Sequence, residues 1–437
     1  MARKNAERKG SALDGFSFIK SADGISEYRL DTNGLQVLLV PDASSPVVGV
    51  MVTYHVGSRN EATGHTGATH LLEHLMFKGS ERFNKDNGGV VWTLLEDKGA
   101  RVNATTWLDR TNYYAVMPKE LVATAITFEA DRMRNAFINE SDRQSEMPVV
   151  RNEFEIGENR PLEALDKQIW AAAFQAHPYH HSTIGWRSDI ENVPIERLKQ
   201  FYQDFYRPDN ATVTVVGGFT PEEVLPLIAT EFGAHPAGAE PLRALYTTEP
   251  KQEGERRVTV KRASETNIVG IAHKIPEATH KDVPALLILA LILAEGKTSL
   301  MHRALVDTAK ALDVSATCNE FHDPSLFITY VTLAPHVKHA DIEKLVKKIY
   351  ADIAEKGVTA SELARAKQSV RSYLAGRRDG AYRILSSLNE EIAAGDWTRF
   401  VSLPEALAKV STADVRRVMK QYAVEETSTI GYFIGQS

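Results

Sequence analysis

The sequence predicts an α+β chain built as two homologous domains, each a largely antiparallel sheet packed with helices. Three observations predict it. The chain nearly repeats itself at an offset of about 217 residues. Strand-like runs are mixed with long amphipathic helices instead of alternating strictly with them, which argues against a parallel βαβ sheet. At 437 residues the chain is also too long for one ordinary core.

Taken in order, residues 1–24 read as an N-terminal extension. Their start, Met1-Ala-Arg-Lys-Asn-Ala-Glu-Arg-Lys-Gly-Ser11, is basic and lacks the apolar stretch of a secretory signal. That leaves two compartments open: the bacterial periplasm, for a mature form whose leader has been removed, or the cytoplasm. The first domain, 25–233, opens with strand-like runs at Leu35–Val40 and Val47–His55. Val102–Ala104 and Tyr113–Val116 read as two more strands joined through the Thr105–Thr111 turn, with the two tyrosines in the sheet core. Glu196–Gly217 then reads as an amphipathic helix, a turn and a strand closing on Gly.

A stretch rich in Pro, Gly, Glu and Lys without apolar period follows, and residues 234–256 read as the linker. The second domain, 257–437, begins with strands at Arg257–Val260 and Ile268–His273, with Thr317–Asn319 and Phe327–Thr332 further on. Its end, Asp414–Gly435, repeats the helix–turn–strand unit: Leu198, Phe201, Tyr202 and Phe205 match Val415, Val418, Met419 and Tyr422.

The chemistry is concentrated in Gly67–Gly79, which contains His70, Glu73 and His74 as H-x-x-E-H. On a helix, offsets of three and four bring all three side chains onto one face. Two imidazoles one turn apart can grip one Zn²⁺, and the carboxylate between them is placed to take a proton from metal-bound water. The plain alternative is a core helix whose histidines fall four apart. Shifted by the repeat, the same window is Pro284–Gly296, where Leu287, Ala290 and Leu291 replace the three polar residues. One half carries a metal motif, and the other keeps the helix without ligands, so one zinc per chain is expected.

Composition narrows the rest. A net charge of −6 argues against nucleic acid or an anionic membrane as partner. No apolar run reaches the roughly 18 residues that span a bilayer, the longest being Val283–Ala294. The single cysteine, Cys318, excludes an internal disulfide and reads as a buried spectator. His177-Pro-Tyr-His-His181 clusters three histidines but reads as an ordinary loop.

A catalytic zinc takes three protein ligands and keeps an open position, so a third carboxylate or histidine must come from elsewhere. Here the chain resembles the inverted-zincin peptidase family of pitrilysin, insulin-degrading enzyme and mitochondrial processing peptidase. It is most like the short bacterial two-domain subunits. The resemblance rests on H-x-x-E-H, on Val56-Gly-Ser-Arg-Asn-Glu61, on Gly99–Thr106 with Tyr113-Tyr114, and on Phe205–Asn210. The family places its ligand glutamate somewhat under eighty residues after the motif, with another glutamate seven residues before it. Glu153 and Glu146 fit that pattern, whereas Glu155 and Glu158 lack the upstream partner. Glu153 is then the expected ligand, and Glu146 orients a histidine or tunes the water. Pro148 lies between them. It is harmless if the helix starts near Ser145, and disruptive to the placement of Glu146 if the helix starts earlier.

The implied function is a zinc endopeptidase acting on extended peptides or unfolded segments inside an enclosed chamber, with Glu73 and Glu146 as catalytic-site carboxylates. Peptides are expected to add as a strand at Asn103-Ala104, the Asn103 amide reaching a substrate carbonyl. Two alternatives share the resemblance, a non-catalytic scaffold subunit and a presequence-processing peptidase. Many family members complete the site with an Arg and a Tyr after a G-x-x-S turn. This chain has Val306 and Asp313 or Val314 after Gly296-Lys-Thr-Ser299. A heterodimer with a related subunit lacking the zinc motif is therefore expected, with a homodimer as the alternative.

Overall fold

In the computed structural model, which describes residues 14–87 and 89–436, β-branched and apolar runs pair into two separate sheets. The first half contains β1 (Phe16–Ala22), β2 (Ile25–Leu30), β3 (Gln36–Pro41), β4 (Val47–Tyr54), α1 (Ala68–Leu75), α2 (Val91–Leu94), β5 (Arg101–Thr106) and β6 (Thr111–Pro118). It continues with α3 (Val122–Asn135), α4 (Glu140–Asn159), α5 (Pro161–Ala173), α6 (Arg187–Asn192), α7 (Ile195–Phe205), β7 (Ala211–Gly217) and α8 (Pro221–Gly233). The second half contains β8 (Arg256–Ala263), β9 (Ile268–Ile275), α9 (Val283–Ala294), β10 (Ala311–Cys318), β11 (Ser325–Leu333) and α10 (His339–Lys356). It ends with α11 (Ala360–Gly376), α12 (Gly380–Ala393), α13 (Arg399–Lys409), α14 (Thr412–Tyr422) and β12 (Ser428–Gln436).

The first sheet runs β1-β2-β3-β7-β4-β6-β5 and the second β10-β11-β9-β12-β8. Five strands correspond: β3-β7-β4-β6-β5 has the order and strand directions of β8-β12-β9-β11-β10. In both, the first pair is parallel and the other three pairs are antiparallel. The chain is thus α+β with two halves of one topology, and the helices α7 and α14 that precede the parallel strands each have eleven residues.

Three elements differ in extent from their sequence signatures. Phe16–Ala22, inside the stretch expected as an extension, is the outer strand of the first sheet; residues 1–13 lie outside the described residues. Only Phe16 of that strand is buried, so it carries no alternation to read. Strand β10 begins at Ala311, well before Thr317, for the same reason: it is an edge strand with mostly exposed or half-exposed positions. Residues 234–255 carry neither helix nor strand. They are pinned by Glu249, whose carboxylate accepts the N–H groups of Gln175, Ala176 and His177 and the Lys274 ammonium. The apolar run Val283–Ala294 is α9, buried on the second sheet. Among the described residues no helix is long and apolar enough to cross a membrane.

Each half lends a helix to the other's sheet. Helix α5 leaves the first half and packs across β8, β9 and β12 of the second sheet. Helix α12 leaves the second half and packs across β4 and β7 of the first. Both crossings need a strand without a side chain at the point of contact. A Cβ on Gly431 would stand 2.6 Å from Ile169 Cγ1 and 2.9 Å from Leu165 Cδ1. A Cβ on Gly49 would stand 2.4 Å from Leu385 Cδ1. Leu165, Ile169 and Leu385 are fully buried, each worth about 1.5–3 kcal/mol of apolar burial.

Gly431→Val is expected to wedge α5 off the second sheet and cost about 1–3 kcal/mol. Urea unfolding followed by circular dichroism should show a lower midpoint. A wild-type midpoint would mean that α5 is not held by this contact.

Candidate metal centre

Helix α1 has two stripes at the same helical spacing. Ala68, Leu71, Leu72 and Leu75 are buried in the first core. His70, Glu73 and His74 lie on the adjoining face. Its start is fixed from outside the helix. Gly67 takes φ +85°, and a Cβ there would meet the Ile184 carbonyl oxygen at 2.5 Å. The buried Glu61 carboxylate then accepts the N–H of Gly67 at 2.8 Å and of Thr69 at 2.7 Å, satisfying donors that the helix leaves free. Burial pushes Glu61 up to about 8, against the pull of those N–H groups.

Helix α4 supplies the partner carboxylates. It starts at Glu140, so Pro148 lies in its interior and not in a first turn beginning near Ser145. Acidic residues Glu140 and Asp142 favour the earlier start by facing the positive end of the helix. The placement of Glu146 survives the proline. Met147 and Val150 bury toward the core, and residues 146 and 153, two turns apart, both reach the α1 histidines.

His70 Nε2 lies 3.5 Å and His74 Nε2 lies 3.4 Å from Glu153 Oε2. Ligand atoms of all three residues fall within 4.8 Å of one another, the one such His/Cys/Asp/Glu cluster found among the described residues. His74 Nδ1–H donates to Glu146 Oε2 at 3.1 Å, which turns the Nε2 lone pair toward Glu153. Lone pairs and a carboxylate converging in this way repel unless a cation sits between them. Bonds of about 2.0–2.3 Å to N and O donors place tetrahedral neighbours roughly as far apart as these atoms are. The residues therefore fit a zinc ion. Burial, with the neighbouring His74, lowers His70 to about 4, leaving its ring neutral and able to coordinate at neutral pH.

The other site residues are sorted by contact. Glu73 is held by a hydrogen bond from Thr106 Oγ1, and burial pushes its pKa up, partly offset by Thr106, His74 and Arg110. That shift moves it toward the range useful to a general base. Burial also acts to raise Glu146, but the Lys78 ammonium and His74 outweigh it and hold the carboxyl low. Ala104 is buried in the core and Asn103 is exposed, both on β5, whose outer side has no strand partner among the described residues. The Asn103 side chain is not brought beside the histidines. By strand parity it shares the face of Thr105, and its Oδ1 accepts the N–H of Ala104 at 2.9 Å; on that face Tyr114 meets Tyr382 of α12. Tyr113 and Tyr114 are both buried.

The His177–His181 loop gathers no metal donors. His177 Nε2 bonds Asp323 at 2.9 Å, and the His180 ring bonds the His177 carbonyl. Asp323 also takes the Arg59 guanidinium at 2.5 Å, so this loop stitches the halves together. Cys318 is buried.

A cavity of about 610 Å³ opens beside the cluster. His70, Glu153 and Thr106 form one wall, Thr317, Asn319 and Tyr330 of the second half the other, and Trp107 and Leu162 stand exposed within it. Sequence reasoning missed Thr106, Lys78, Glu61 and the second-half wall. Lys78 and Thr106 each had a faint signal. Lys78 is four residues beyond His74, and Thr106 shares the strand parity of Ala104. Nothing local marks the others.

Comparison with known proteins agrees with this architecture. Residues 36–186 match the model described as insulinase (peptidase family M16), and residues 192–370 match the one described as peptidase M16 inactive domain. The chain is 28% identical over 402 residues to zinc protease PqqE of Helicobacter pylori, covering 91% of this chain and 90% of that protein. It is 32% identical over 210 residues to the probable mitochondrial-processing peptidase subunit beta of Schizosaccharomyces pombe, covering 48% and 45%. The crystal structure of a protease from Helicobacter pylori superposes with a TM-score of 0.88 at 27% identity, covering 92% of this chain and 97% of that one. The two matched models span most of the sequence, the second running from the end of the first half into the half without ligands, and the chain belongs to the M16 peptidase family.

Proposed function

We propose that this protein is a zinc endopeptidase that hydrolyses extended peptides or unfolded segments within an enclosed space. The observation that carries the reading is the convergence of His70, His74 and Glu153 beside Glu73, at a cavity walled by both halves. The relatives named zinc proteases support the metal. Zinc, when bound by His70, His74 and Glu153, supplies Lewis-acid polarisation of the scissile carbonyl and acidifies water. Glu73 takes the proton of the attacking water and passes it to the leaving amine. Glu146 keeps His74 in the tautomer that presents Nε2, and Lys78 balances its charge. The free edge of β5 accepts the peptide backbone as an added strand.

The reading extends to a partner. Val306 closes a π-helical turn and Asp313 stands near the start of β10; neither lines the cavity. Arg303, the first arginine after the Gly296–Ser299 turn, pairs with Glu362 at 2.9 Å. A related subunit without a zinc motif then supplies the Arg and Tyr, consistent with a relative named as one subunit of a processing peptidase.

Four outcomes test this. Chelation should abolish peptide hydrolysis and Zn²⁺ restore it, with about one zinc per chain by metal analysis. Glu73→Gln should keep the metal while kcat falls by about 10²- to 10⁴-fold; full activity of a metal-free preparation would sink the proposal. Glu153→Gln should lose zinc, Glu146→Gln should keep it with roughly 10- to 100-fold lower activity, and Glu155→Gln should be nearly silent. Metal loss on changing Glu155 alone would move the ligand. Finally, the purified chain should bind zinc yet cleave feebly until mixed with its related subunit, and a fully active homodimer would remove the heterodimer.

A further inference from the structure

The two faces of β5 do different work. Alternate residues of a strand point to opposite faces, so Thr106 turns toward α1 and Thr105 turns away. On the α1 side, the Thr106 hydroxyl donates to Glu73 Oε2. On the far side, Arg110 Nη1 donates to Thr105 Oγ1 at 2.6 Å, to the Thr105 carbonyl at 3.1 Å and to Asn112 Oδ1 at 3.0 Å. Its other arm, Nη2, donates to Glu390 Oε1 at 2.5 Å. Glu390 belongs to α12, the helix lent by the metal-free half. Its neighbour Asn389 accepts from Thr53 at 2.8 Å and donates to Asn112 at 3.4 Å. A continuous run of hydrogen bonds therefore leads from α12, through Arg110, to the end of the strand that holds Glu73.

We propose that Thr106 is a positioning residue for Glu73, and that the metal-free half keeps it in place through Glu390 and Arg110. A carboxylate at a helix face has free rotamers, and a general base must hold one of them against the attacking water. The hydroxyl selects that rotamer, and the guanidinium fork fixes the strand end that carries the hydroxyl. The second half, which has no ligands, thereby takes part in the reaction of the first.

This rests on Glu73 being the base, and the test separates the two ideas. kcat, KM, zinc content and thermal midpoint are measured for the full chain under conditions in which the wild-type protein cleaves peptide. Thr106→Val keeps shape and removes the hydroxyl. It should lower kcat by roughly 10- to 100-fold, as losses of orienting partners do, with KM, zinc content and midpoint unchanged. Thr106→Ser should restore most of the rate. Glu390→Gln should lower kcat severalfold in the wild-type background and much less in the Thr106→Val background, because its main path to Glu73 runs through that hydroxyl. Wild-type kcat in Thr106→Val, loss of zinc in that variant, or failure of Ser to rescue would overturn the positioning role. A Glu390→Gln effect that is absent, or equal in both backgrounds, would overturn the link to the metal-free half. A wild-type protein that binds zinc and stays inactive even when mixed with its related subunit would instead sink the peptidase reading.

Discussion

Everything near the metal centre depends on the reciprocal exchange of helices between the two sheets. A sheet face needs apolar cover, and here each half obtains part of it from the other. Leu165 and Ile169 seat on the second sheet, and Ala381 and Leu385 seat on the first. Helix α5 follows α4 with only Arg160 between them, so the helix carrying Glu153 continues into the helix locked to the other half. Arg262 of β8 grips Glu158 at the end of α4 and strengthens that joint. The distance from Glu153 to the histidines is therefore set partly by packing within the half that has no ligands.

The centre gathers three carboxylates and two imidazoles, and each carboxylate is held by a different balance. Glu73 is buried and pushed up in pKa, Glu146 is held low by Lys78 and His74, and Glu153 is 43% exposed at the mouth of the cavity. Three equivalent side chains thus sit in three different environments, which is what separates the roles proposed for them. The second half shows what the fold does without this demand. There α9, apolar along its length, packs into the second core.

Much of this could be read from the chain. The H-x-x-E-H spacing identifies one helix face because helical periodicity is local, and the paired apolar patterns around Leu198 and Val415 expose the repeat for the same reason. The order of strands was not readable, nor was β1, whose single buried residue leaves no alternation. Pro148 left the start of α4 open between Ser145 and an earlier residue, and the start at Glu140 puts Glu140 and Asp142 in an acidic first turn. Asn103 matched the family's substrate strand in sequence, yet strand parity turns its side chain to the face opposite Thr106 and away from Glu73.

By itself the sequence determined which half bears the metal motif, which side chains share its helix face, and that both halves have one plan. Those properties follow from the period of the backbone and from residue chemistry. The spacing and the family resemblance already pointed to Glu153; tertiary structure alone decided that Thr106 holds Glu73 and that α5 and α12 trade sheets. Each of these joins residues far apart in the chain, and such contacts are selected by burial and packing across the whole molecule, which no local pattern encodes.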